Sequence, residues 1–137
     1  IFTSLMLRNK IKGVIINISS DLGLIAPDQR IYEIPGLKKE QQPVKPITYS
    51  VIKTGLIGLS NYLATYFSGK IRSNVICPGG VINNQDIEFR KKLEELIPMG
   101  RMANKDEITG TVVFLLSDAS SYINGAVISV DGGRTTW

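Results

Sequence analysis

Histidine is absent from the 137-residue sequence, and cysteine occurs once, at Cys77. Without histidine the chain cannot supply a Ser-His-Asp triad or a histidine-ligated metal site, and a lone thiol cannot build a zinc site. A single cysteine also excludes an internal disulfide and is typical of a reducing compartment, so we expect a cytoplasmic protein without a metal centre. Any catalysis must therefore use tyrosine, lysine, serine or carboxylate groups.

Long apolar runs and blocks of like charge are also missing. No apolar run approaches the roughly 18 to 20 residues that span a bilayer. The net charge is +4, but the basic residues are scattered, and the run Arg90, Lys91, Lys92 is followed at once by Glu94 and Glu95, as on a solvated helix face. No basic stripe carries interleaved aromatic residues. We therefore expect neither a membrane nor a nucleic acid as a partner.

Three short apolar segments predict strands, at residues 14–18, 73–77 and 126–130. The first, VIINI, is a near-continuous β-branched run, which is typical of a strand buried on both faces. Helical spacing of apolar residues predicts crossover helices between the strands. Crossovers of this length imply parallel pairing through right-handed connections, so the sequence predicts half of a doubly wound α/β sheet within one unit over residues 1–137.

The crossover helix after the first strand carries the first candidates for chemistry. Thr48 is placed to act as its N-cap. Tyr49 and Lys53 are four positions apart, so a helix presents both side chains on one face. An ammonium beside a phenol favours its ionised form and lets a tyrosine exchange a proton nearer neutral pH. Alone, such a tyrosine is more often a half-buried helix residue.

The residues that follow the predicted strands are also expected at the edge of the sheet where Tyr49 and Lys53 lie. Ligands of parallel α/β sheets bind in the crevice beyond the carboxyl ends of the strands. These strands end in Ser19-Ser20, in Pro78-Gly79-Gly80 and in Asp131-Gly132-Gly133. The middle segment also fits a plain strand terminator, and the last is interpreted as a structural turn near a subunit contact. The sequence thus predicts one crevice that is lined by hydroxyl, phenol and amine groups.

Four ordered elements of the chain resemble the carboxyl-terminal half of a short-chain dehydrogenase/reductase. They are NISS (17–20), the Tyr-x-x-x-Lys motif of Tyr49 and Lys53, NVICPGGV (74–81) and NGAVISVDGG (124–133). One such motif is weak, whereas four in order on the matching secondary structures are specific. The resemblance implies a Rossmann-like fold, NAD or NADP as cofactor, and interconversion of an alcohol and a carbonyl in a small-molecule substrate.

The resemblance also implies a role for each motif residue. Tyr49 would be the general acid/base, Lys53 would hydrogen-bond the nicotinamide ribose, and Ser20 would hold the substrate oxygen where charge develops. Ser20 is preferred to Ser19 because the family's serine lies in the first turn after the strand. The resemblance also implies the cofactor contacts Tyr49, Lys53, Pro78, Gly79, Val81 and Asn83. The backbone of Val81 would lie near the nicotinamide carboxamide. Asn83 stands where many relatives have threonine.

Residues 26–46 are polar and proline-rich, and they predict a long surface loop inserted before the helix. The gap between Ser20 and Tyr49 is longer by about sixteen residues than ordinary connections suggest. Tyr32 fits either a loop anchor or a substrate contact. The loop's cations fit either a plain solvated loop or recognition of a sugar phosphate or nucleotide-sugar; they are Arg30, Lys38, Lys39 and Lys45.

The loop and the segment PVKPITYSVIKTGLIGL also resemble oxidoreductases of bacterial surface-sugar biosynthesis, including flagellin glycan pathways. The family's Gly-rich phosphate turn, its cofactor-selecting residue and its active-site asparagine are absent. We therefore expect a native protein about twice this length, assembled as a homodimer or homotetramer, and we expect this fragment alone to be inactive. Two alternatives stay open: a cofactor-using epimerase or dehydratase, and a truncated, non-catalytic fragment that serves oligomerisation.

Overall fold

The computed structural model describes residues 2–137. Three parallel strands form one sheet in the order β1 (Gly13–Ile18), β2 (Ile71–Pro78), β3 (Val127–Val130). The α-helices are α1 (Phe2–Arg8), α2 (Ile47–Tyr66), α3 (Ile87–Glu94) and α4 (Lys105–Leu116). The predicted α/β class with parallel pairing is confirmed. Within this described part of the chain, no helix is long and apolar enough to cross a membrane.

The long helices α2 and α4 cover opposite faces of the sheet. Successive residues of a strand point to opposite faces. The Ser73 hydroxyl lies 3.1 Å from the Ser60 hydroxyl of α2. Its neighbour Arg72 donates to the carbonyl oxygen of Leu115 in α4 at 2.9 Å. Helices on both faces are the layering of the Rossmann-like fold.

Strand β2 forms the core because it has a paired neighbour on each side and a helix on each face. Val75, Ile76 and Cys77 are completely buried. Strand β1 pairs with β2 alone, and the expectation that it is buried on both faces is wrong for these residues. Val14 is only half-buried and Ile18 is 46% exposed, because the second long edge of β1 has no neighbouring strand within residues 2–137.

Helix α2 begins at Ile47, two residues before the position expected from its sequence. Pro46 occupies the N-cap position with φ −59°, and no side chain caps the helix there. Thr48 therefore lies inside the first turn, and its assignment as the N-cap is wrong. The ring of proline fixes φ near the helical value and so sets the direction of entry without a side-chain hydrogen bond.

The polar segment 26–46 is an ordered loop that packs beside α3. Its Gln42 side-chain amide bonds to the backbone of Ile34 and of Leu37, with distances between 2.7 and 3.0 Å. From α3, the Lys92 ammonium donates to the carbonyl oxygen of Glu33 at 2.7 Å. The loop is thereby held over the end of the sheet at which the strands terminate.

Candidate functional site

A cavity of about 250 Å³ lies at the edge of the sheet formed by the carboxyl ends of the strands. Its walls come from the turn after β1, the loop before α2, the segment after β2 and the chain after β3. The residues that line it include Ser20, Asp21, Tyr32, Lys45, Tyr49, Val81, Gln85 and Arg134. A larger cavity of about 600 Å³ opens at the opposite edge, beside Lys12 and Lys70. None of the candidate site residues predicted from the sequence lines that cavity.

Tyr49 projects into the carboxyl-edge cavity from the first turn of α2. The Lys53 ammonium lies 5.6 Å from the centre of the Tyr49 ring and donates to the Ile18 carbonyl oxygen at 3.0 Å. The Lys45 ammonium lies 3.8 Å from the same ring centre. The phenol thus sits within cation–π distance of two ammonium groups, one from its own helix and one from the loop.

The two serines after β1 have different surroundings. The Ser19 hydroxyl donates to the Lys53 carbonyl oxygen at 2.7 Å and so ties the strand end to α2. The Ser20 hydroxyl lines the cavity and donates to a carboxylate oxygen of Asp21 at 2.7 Å. Of the two hydroxyl groups, only that of Ser20 lines the cavity. It can donate to a molecule bound there if it rotates away from Asp21.

The segment after β2 runs along the cavity wall. Gly79 and Val81 line the cavity, whereas Pro78 and the exposed Asn83 do not. A side chain at Gly79 would place Cβ 2.9 Å from the Asp131 Cα, so the close approach of these two strand ends needs glycine.

Gln85 holds this segment through its side-chain amide. The amide nitrogen donates to the Val81 carbonyl oxygen and the amide oxygen accepts from the Asn83 N–H, both at 2.7 Å. Sequence reasoning missed Gln85 because its role depends on the turn conformation after β2, and a single glutamine in a polar segment carries no signal.

Tyr32 anchors the loop and also lies in the wall of the cavity, while its predicted substrate contact stays a prediction. Its ring packs against Phe89 of α3 at 5.5 Å between ring centres, and it lines the cavity. Burial raises the pKa of the Tyr32 phenol, and the nearby Asp21 carboxylate raises it further. The group is therefore a neutral hydrogen-bond donor at physiological pH, and it anchors the loop at the same time.

The loop's cations do not converge. Lys45 is the one that lines the cavity, whereas Lys38 and Lys39 are exposed. Arg30 forms an ion pair of 2.6 Å with Asp28. Among residues 2–137 no cluster of three or more histidine, cysteine or carboxylate side chains could hold a metal ion.

The chain is similar to known proteins over most of its length. The family model described as enoyl-(acyl carrier protein) reductase matches residues 36–135. Post-translational flagellin modification protein A of Campylobacter coli is 37% identical over 122 residues, which cover 88% of this chain and 45% of that protein.

Two solved structures show the same fold. A short-chain dehydrogenase from Leptospira borgpetersenii with bound NAD+ superposes with a TM-score of 0.86 at 35% identity, covering 96% of this chain and 48% of that one. A gluconate 5-dehydrogenase from Burkholderia cenocepacia, in complex with NADP and tartrate, gives 0.80 at 25% identity, covering 98% and 49%. The chain spans about half the length of these relatives. With its four motifs in family order, the chain belongs to the short-chain dehydrogenase/reductase family.

Proposed function

We propose that this chain is the carboxyl-terminal part of an NAD(P)-dependent oxidoreductase that interconverts an alcohol and a carbonyl. The observation that carries the proposal is the meeting of Ser20 and Tyr49 in one cavity, with the Lys53 ammonium 5.6 Å from the Tyr49 ring centre. Relatives that contain NAD+ or NADP support the choice of cofactor.

The proposed chemistry uses one proton-exchanging group and one group that orients the substrate. NAD or NADP, when bound, supplies or accepts the hydride. In the oxidation direction, the Tyr49 oxygen accepts the hydroxyl proton as the carbon gives up its hydride and the carbonyl forms. In the reduction direction, Tyr49 returns the proton. Ser20 donates a hydrogen bond to the substrate oxygen, where negative charge develops.

The residues around the cavity fit a nicotinamide cofactor. The Lys53 ammonium has three donors and uses one on Ile18, so two remain for ribose hydroxyl groups. The Val81 carbonyl oxygen accepts a hydrogen bond from the side-chain amide of Gln85. The nicotinamide carboxamide is also a primary amide, so it can donate to a backbone carbonyl oxygen in the same way. Pro78, Gly79, Val81 and Asn83 remain the proposed backbone run along the cofactor.

The proposed substrate is a sugar derivative, either a sugar phosphate or a nucleotide-sugar. The loop of residues 26–46 supplies Tyr32 and Lys45 to the cavity wall, so substrate recognition is expected there. The similarity to a gluconate 5-dehydrogenase supports a substrate derived from a sugar. We expect Tyr32 and Ser20 to contact the substrate.

Steady-state absorbance of the nicotinamide with the full-length protein tests the proposed function. Net oxidation or reduction with a sugar alcohol or ketose is the expected result. Product without net absorbance change would instead identify an epimerase or dehydratase. Cofactor binding without any product would identify the non-catalytic alternative. Residues 1–137 alone are expected to be inactive, because the phosphate-binding half of the cofactor site is not among them.

We also propose that the full-length protein is a homo-oligomer assembled through α2. One face of this helix exposes apolar side chains whose spacing of three and four residues brings them together; they include Val51, Ile52, Leu59, Tyr62 and Tyr66. Gly55 and Gly58 lie on the same face, and a Cβ at either would meet no atom within 4 Å. Glycine in a helix costs about 1 kcal/mol relative to alanine, so two of them on an apolar face indicate close approach of a second copy.

Gly58→Leu in the full-length protein is expected to dissociate the oligomer and leave the subunit folded. The added side chain enters open space in the subunit and raises helix propensity, but it blocks close approach of a partner helix. Sedimentation velocity measures the assembly state, and circular dichroism checks the fold. Lys91→Leu on the exposed face of α3 is the control and should leave assembly unchanged. An undisturbed oligomer of Gly58→Leu would contradict this interface.

A further inference from the structure

Arg134 lines the carboxyl-edge cavity and has no assigned role. It is 8% exposed, which is rare for arginine unless its guanidinium is paired. Among residues 2–137, no carboxylate lies within 4.0 Å of its guanidinium nitrogens and its side chain makes no hydrogen bond. A largely buried arginine whose guanidinium has no partner therefore lies with Ser20 and Tyr49 in the wall of the proposed active site.

The turn after β3 fixes this position. Asp131 accepts from the Gly133 N–H at 3.0 Å, and from the N–H and the hydroxyl of Thr135 at 2.9 and 2.7 Å. Gly132 and Gly133 have φ of +63° and +87°, a conformation that glycine adopts without strain. Arg134 is thus held between two residues that one carboxylate clamps. The turn was expected to be structural, and it also places Arg134 in the wall of the cavity.

The nearby carboxylates are already engaged. Asp28 is paired with Arg30 at 2.6 Å; the hydrogen bond from Arg30 is the main reason that the Asp28 pKa lies at about 2, and the charge of Arg134 contributes least. Asp21 accepts from the Ser20 hydroxyl and the Leu22 N–H, at 2.7 and 2.8 Å. A guanidinium on a largely buried side chain is stabilised by an anionic partner, and both of these acids already have other partners.

We propose that Arg134 binds an anionic group of the substrate, a carboxylate or a phosphate, through its planar guanidinium. This geometry suits a two-oxygen acceptor. The inference rests on the proposed function in that the cavity is taken as the substrate pocket, and it narrows the substrate class to sugar derivatives that carry an acid group. Arg134 orients the substrate and takes no part in the proton transfer by Tyr49.

Binding measurements on the full-length protein saturated with cofactor test this role. The probes are sorbitol, gluconate and sorbitol 6-phosphate, which share a six-carbon polyol chain and differ in charge. The unchanged protein is expected to bind one of the two anions about 10- to 100-fold more tightly than sorbitol. The tighter of the two anions identifies carboxylate or phosphate as the recognised group.

Arg134→Met is expected to abolish this preference with cofactor affinity unchanged, and Arg134→Lys to keep part of it, because the charge remains without the planar fork. Lys38→Met removes the same charge from the exposed loop and should keep the full preference. Should Arg134→Met fail to fold, the preference for the anion over sorbitol is compared between Arg134→Lys and the unchanged protein. Equal affinity for sorbitol and both anions, or a preference that survives in Arg134→Met, would overturn the proposal. Absence of NAD and NADP binding would instead contradict the proposed function.

Discussion

Tyr49→Phe in the full-length protein is expected to lower kcat by about 10²- to 10⁴-fold, the contribution of a positioned general acid/base. The substitution removes the one oxygen proposed to exchange a proton with the substrate. The ring stays in place, so its contacts with Lys45 and Lys53 remain, and cofactor affinity should fall far less than kcat, because only one of the implied cofactor contacts is lost. Steady-state rates with saturating cofactor, together with cofactor titration, give the two quantities.

Tyr122→Phe is the matched control because Tyr122 is fully exposed and lies away from the carboxyl-edge cavity. It should leave kcat unchanged. Retention of most of the rate in Tyr49→Phe would contradict the proposed proton transfer. It would also move the chemistry to another hydroxyl of the cavity, with Tyr32 the first to be examined.

The fold follows from sequence patterns because its determinants are local. The β-branched run before Ser19 and the helical spacing after Tyr49 each predict an element from a few neighbouring residues. Crossover length and handedness then leave few arrangements of the strands. The same reasoning brought Ser20 and Tyr49 to one edge of the sheet, where the structure places both in a single cavity.

Contacts between segments that are far apart in the chain could not be predicted from the sequence. The Lys53 ammonium bonds to Ile18, 35 positions away, and Lys45 reaches the Tyr49 ring because Pro46 sets the entry into α2. The sequence did not predict the burial of Arg134, because an arginine after a glycine turn is usually a surface residue. Its burial depends on how three loops close around one cavity, which periodicity does not describe.

The exposed edge of β1 illustrates a second limit. The apolar pattern of residues 14–18 predicted burial on both faces, yet the structure leaves these side chains partly exposed. The apolar pattern alone does not show which surfaces of a strand are covered, and within residues 2–137 β1 has a neighbouring strand on one side only. The same argument applies to the apolar face of α2, which we propose is covered by a second copy of the chain.

Ser20→Ala is expected to lower kcat/KM by about 10²- to 10³-fold, the effect of losing one hydrogen-bond donor to a developing oxyanion. Ser19→Ala is the matched control, because both serines are buried and each donates one hydrogen bond of 2.7 Å, to Asp21 or to the Lys53 carbonyl oxygen. Ser20 also accepts from the Leu22 N–H at 3.2 Å, but that N–H keeps its bond of 2.8 Å to Asp21. Each variant should therefore lose about 1 kcal/mol of unfolding free energy, but only Ser20→Ala should lose the rate. Chemical denaturation and initial rates separate stability from activity. The assignment is wrong if Ser19→Ala is the inactive member of the pair, since the Ser19 hydroxyl would then be the group that holds the substrate oxygen.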